Sequence, residues 1–198
     1  GIGNLTELTD VDSAGINLML LAICQELSIT SVLTTQVINW ARSSVRECDL
    51  ARRLVHYSIR HQTPPKRLDE SLVILRDAKL RAYSADVLAR LATEVRDNNY
   101  RLFAQDELIH VISAGLHLSD ADPFRLFESL MAQPQATNID PGHAFYLGFE
   151  MAKAMTALTL GKQYEQDQAL DWGHLTRPEQ HHRLQRKRRK KRDDETDD

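Results

Sequence analysis

The sequence predicts an α/β fold: the last two β/α repeats of a (β/α)8 barrel over residues 1–62, a small α+β domain over residues 66–175, and a disordered charged tail over residues 176–198. Three observations predict it. The opening Gly1-Ile2-Gly3-Asn4 has the composition of a turn that leaves a strand. A helix pattern, a β-rich run and a second helix pattern follow with short connections, the order of a βαβ unit. At Thr63-Pro64-Pro65 that pattern stops, because proline neither continues a helix nor lets its predecessor stay helical.

Each element has its own reason. Between Ser13 and Leu27 the apolar residues Ile16, Met19, Leu20, Ile23 and Leu27 recur at helical spacing, with Asp12 or Ser13 as cap, so that stripe is expected to be buried. Ile29 to Thr35 is rich in β-branched residues and predicts a strand, followed by a polar loop from Gln36 to Ser43. Ser44-Val45-Arg46-Glu47 has the spacing of a capping box and starts a helix that runs to about Arg60. Two such repeats fall far short of a closed barrel, which takes ~250 residues. The chain therefore reads as the C-terminal portion of a larger enzyme.

In the second unit, Lys66 to Thr93 offers helical stretches, and Tyr100 to Ile112 predicts two short strands around a tight turn at Gln105-Asp106-Glu107. Asp122-Pro123 opens a helix with Asp122 as its cap, and the longest helix runs from about Gly142 to Leu160, ending at Gly161. From Thr176 onward apolar residues almost vanish.

Composition excludes some classes. The 198 residues carry a net charge of −3, but Arg183 to Asp198 hold eight basic against five acidic residues, so the preceding part carries −6. An acidic body argues against nucleic acid as a partner, and the basic run Arg186 to Arg192 is followed directly by acidic residues that can neutralise it. No apolar run approaches the ~20 residues of a membrane span. Cys24 and Cys48 have no metal or disulfide spacing and read as core residues in a reducing cytoplasm.

The opening tetrapeptide resembles the G-L/V-S-N signature of pterin-binding TIM barrels, the superfamily of dihydropteroate synthases and methyltetrahydrofolate-dependent corrinoid methyltransferases. The wider runs GIGNLTELTDVDSAGIN and SVLTTQVINWARSSVRECDLARR look most like the dihydropteroate-synthase-like proteins of tetrahydromethanopterin-type one-carbon metabolism. Their extra C-terminal module is matched by AFYLGFEMAKAMTALTLGKQYEQDQAL, Ala144 to Leu170. The resemblance covers residues 1 to about 175. It implies a transferase that joins a pterin pyrophosphate to an arylamine, with pterin as substrate or ligand, magnesium accompanying the pyrophosphate, and a homodimer as a candidate assembly. Methyl transfer to a corrinoid and a non-catalytic, scaffold role are the alternatives.

By position Asn4 would hydrogen-bond the pterin, whose edge an amide matches because it presents a donor and an acceptor in one plane. Gln36, Asn39, Arg42 and Arg46 would stand on the neighbouring loop, where arginine can grip phosphate in a bidentate way. The R-x-H element of dihydropteroate synthases is replaced by ARSSVRECD, which has arginines and no histidine. No metal ligand and no catalytic residue can be named. Each assignment has a plainer rival: Asn4 as a turn residue, Arg42 and Arg46 as surface ion pairs, Glu150 and Lys153 as a surface pair at i and i+3, and His110 and His143 as structural residues. The chain by itself is expected to be inactive.

Overall fold

The computed structural model describes residues 1–179, and it overturns the barrel. Six helices and one three-stranded antiparallel sheet make up the regular structure of the described residues. They are α1 (Gly3–Leu8), α2 (Ser13–Glu26), α3 (Ser44–His61), α4 (Ala85–Glu94), β1 (Arg101–Gln105), β2 (Leu108–Ser113), β3 (Leu116–Asp120), α5 (Pro123–Met131) and α6 (Pro141–Leu160). Ile29 to Thr35 forms no strand. Its link to the opening segment is made by the Ile2 and Gly3 amides, which both donate to the Leu33 carbonyl, at 2.8 and 3.2 Å. A ladder needs a neighbour along its whole length. With no partner strand on either side, the β propensity of this run is not realised, and the chain enters a helix at Gly3 where a strand end was expected.

Two compact units divide the chain between Arg81 and Ala82, whereas the sequence placed the boundary near residues 62–68. Unit 1 comprises Gly1–Arg81 with Thr159–Gln163 and Leu170–Arg177, and unit 2 comprises the remainder. Of the expected tail from Thr176, residues 180–198, including the basic run, lie outside the described residues.

Unit 1 is built on α2 against α3, with Ile2, Leu21, Cys24, Cys48 and Ala51 as its core. The sequence placed both helices within a residue or so of their observed bounds, but of the stripe it chose on α2 Leu20 packs against the core while three residues face out. Met19, Ile23 and Leu27 are 64%, 53% and 66% exposed, while Ser13, Ala14, Asn17, Leu21 and Cys24 are buried. Both cysteines are free and buried, and burial pushes the Cys48 thiol up from its ordinary value.

Unit 2 is a meander, β1-β2-β3, with Phe103 opposite His110 and Ile112 opposite His117. Asp106 and Glu107 form the first turn with φ of +51° and +61°, the left-handed pair that a two-residue hairpin requires. Gly115, at φ +67°, makes the second. Leu88, Leu91 and Ala92 of α4 pack on Phe103 and Ile112, covering one face of the sheet. Helix α5 starts as the sequence predicts: the Phe124 amide donates to the Asp122 carboxylate at 2.8 Å, and Pro123 occupies the first turn. No described helix is long and apolar enough to cross a membrane.

Candidate functional site

Three hydrogen-bonding links hold the opening segment to residues 33–41 within unit 1. Besides the two amides on Leu33, the Thr35 hydroxyl donates to the Glu7 carboxylate, and the Trp40 indole N–H donates to the Thr6 carbonyl at 3.3 Å. The close approach explains Gly3. A Cβ there would stand 2.9 Å from both the Thr35 nitrogen and its hydroxyl oxygen, so any side chain would force the two segments apart. The glycine serves chain-to-chain contact, with no left-handed backbone at this position.

On this scaffold Asn4 lies on α1, exposed, and its amide is free of hydrogen bonds among the described residues. Gln36 and Arg46 are likewise exposed and make no hydrogen bond there. Asn39 begins a single 3-10 turn, Asn39–Ala41, and accepts a hydrogen bond from Arg42 at 3.2 Å. The structure thus brings the Asn4 segment beside the segment that carries Gln36 and Asn39, and it leaves the amide and guanidinium groups of both facing solvent.

Beneath this surface lies a buried polar cluster that the sequence disguised as a capping box. Glu47 is 2% exposed and accepts hydrogen bonds from Ser13 (2.6 Å), Asn17 (2.8 Å) and Ser43 (2.7 Å). Asn17 also donates to Ser44 at 2.9 Å and accepts from Thr6 at 3.1 Å. Glu47 therefore joins α3 to α2, and Ser43, not Ser44, is the residue preceding the helix. One signal for the cluster was in the sequence: Ser13 and Asn17 sit one turn apart on α2, interrupting its apolar run, and Ser44 and Glu47 are spaced to meet them.

In unit 2 several polar residues of the Ala144–Leu170 motif turn inward. Glu150 and Lys153 are 1% and 8% exposed, not a surface pair, and their charged atoms are 2.8 Å apart. The Tyr164 hydroxyl donates to Glu150 at 2.6 Å, and Lys153 also pairs with Glu179 at 2.8 Å. Burial, and then the Glu150 carboxylate, push the Tyr164 phenol well above its ordinary value. Tyr146 donates to Asp167 at 2.8 Å and accepts from Gln166, whose carbonyl receives the Leu102 amide. Burial raises the Tyr146 phenol too. These bonds tie α6 to Tyr164, Gln166 and Asp167 and, through Gln166, to the start of β1 within unit 2.

His110 is buried, and its Nδ1 lies 3.1 Å from His117 Nε2 on the adjacent strand. Burial first, and then His117, lower the His110 pKa from its ordinary value. His143 lies near the start of α6 between the rings of Tyr100 and Tyr146, in keeping with a structural residue. The described residues hold no group of three or more potential metal ligands.

Comparison with known proteins gives one distant relative. An uncharacterized protein of Methanocaldococcus jannaschii is 25% identical over 195 residues, covering 84% of this chain and 35% of the relative. The chain thus spans about a third of the length of the protein it matches. No protein-family model matches the chain, and no solved structure does.

Proposed function

We propose that this chain contributes the pterin-contacting surface of a larger cytoplasmic transferase, which joins a pterin pyrophosphate to an arylamine. Asn4 pairs with the pterin edge, Gln36 and Asn39 supply further amides, and Arg42 and Arg46 hold the pyrophosphate. One observation carries the reading: the segment bearing Asn4 is bonded through Ile2, Gly3 and Thr6 to the segment bearing Gln36 and Asn39, with Asn4, Gln36 and Arg46 making no hydrogen bond among the described residues. The reading rests on this juxtaposition and on the motif resemblance, and no longer on a barrel. Binding, orientation and stabilisation of the departing anion make up most of such a catalyst, so amides and arginines suffice.

A second reading, methyl transfer from a methylated reduced pterin to a corrinoid, is favoured by the absence of histidine from Ala41 to Asp49. Product analysis separates the two: pyrophosphate release with an arylamine supports condensation, and corrinoid methylation supports the second. The binding site itself is tested by calorimetric titration of the full-length protein with reduced pterins. Asn4→Ala is expected to weaken binding by ~1–3 kcal/mol, the cost of a polar ligand group left without its partner. An unchanged affinity removes Asn4 from the site.

A further inference from the structure

We propose that a cationic cleft along α3 is a second binding site, for a small molecule that carries a phosphate or pyrophosphate group. The cleft has a volume of about 480 Å³, within the ~300–1,000 Å³ of small-molecule sites. Arg52, Arg53, His56, Arg60 and His61 line it from one helix. The opposite wall exists because the backbone turns back on itself: Gln62 and Arg67 are left-handed, at φ +51° and +60°, and return Leu68 and Asp69 to face the helix.

Charge decides what the cleft can take. Helix α3 carries Arg46, Arg52, Arg53 and Arg60 against Glu47 and Asp49, a positive stretch in a body of net charge −6. Asp49 engages Arg52 and Arg53, each at 2.6 Å, but it occupies only part of each five-donor fork. Asp69 is turned toward its own loop, accepting from the Ser71 amide at 2.9 Å and the Ser71 hydroxyl at 2.5 Å. Those bonds, with Arg53 and Arg46 adding to them, hold its carboxyl below the usual range. Arg60, His56 and His61 therefore line the cleft without a hydrogen bond or ion pair among the described residues.

A phosphate group matches these donors, since guanidinium forks bind its oxygens bidentately. Leu54, Tyr57 and Leu68 give the cleft an apolar lining for the remainder of the ligand, with the Tyr57 ring held 4.5 Å from that of His61. The limited size of the cleft and the acidic body favour a small anion over a nucleic acid strand. The proposal is independent of the pterin reading, because none of the residues that line the cleft belongs to the Asn4 surface.

The test is calorimetric titration of the full chain with inorganic pyrophosphate and with AMP at about 0.15 M salt, where non-specific charge attraction is screened. Saturable one-site binding of either probe is expected. Arg60→Ala should weaken it about tenfold or more, Arg60→Lys should only partly restore it, and Arg90→Ala, which removes an exposed cation on α4, should leave it unchanged. Circular dichroism checks that the exposed substitutions leave the fold intact. Absence of saturable binding by both probes, or equal losses in Arg60→Ala and Arg90→Ala, overturns the site. Tighter binding of a single-stranded RNA than of either probe overturns the small-anion assignment.

Discussion

Glu47 accepts hydrogen bonds from two side chains on α2 and from Ser43, which precedes α3, none of them basic. Truncating a buried acceptor of this kind leaves its donors stranded, at about 1–3 kcal/mol for each buried group left unsatisfied. Glu47→Ala is therefore expected to cost about 3 kcal/mol or more, measured as a shift in the urea midpoint. Ser43→Ala, which removes one peripheral donor, should cost about 1 kcal/mol. Equal effects from the two substitutions would show that the cluster is not the joint between α2 and α3. Glu150 teaches the same lesson in unit 2: a Glu and a Lys three residues apart look like a solvated pair in any sequence. Only the arrival of Tyr164 and Glu179 from further along the chain makes the pair internal.

Elements with local stop and start signals were legible. Helix α5 is the clearest case, because Asp122 and Pro123 specify its first turn without help from the fold. Asp122→Ala should lower stability by about 1 kcal/mol with no change in the surrounding sheet, a loss checked by thermal melting and by amide exchange at Phe124. The first hairpin was equally readable, since two short apolar runs flank a turn of charged residues. Strand β3 was missed: Leu116 to Asp120 has only one deeply buried residue and gains its place by pairing with β2. The Ile29–Thr35 run shows the converse, a strong local preference that no neighbouring strand rewards. The site residues divide in the same way. Gly3 and Asn4 were visible as a motif, but the contact with Thr35 that explains the glycine depends on chain reversal through α2.

At the scale of the molecule, unit 1 leaves much apolar surface uncovered. Met19, Ile23 and Leu27 follow one another a turn apart along α2, and Leu8, Leu33 and Val37 are also exposed. Apolar surface of this extent binds hydrophobic dyes and promotes association. The chain is expected to enhance ANS fluorescence and to sediment faster at higher concentration. Replacing Met19, Ile23 and Leu27 together by Gln should suppress both while the helical signal persists, and a wild-type chain that stays dark with ANS contradicts this. Whether residues 1–62 belong to a barrel turned on long-range pairing, which periodicity does not encode, so the pattern of alternating helix and β-rich run was insufficient. The polar joint of unit 1 has one more consequence. Two greasy helices can slide by a turn and still touch, but a carboxylate fitted to three donors has a single seat. Swapping the cluster for aliphatic side chains would preserve the grip between α2 and α3 while surrendering the alignment that sets where Asn4 and the loop beside it meet.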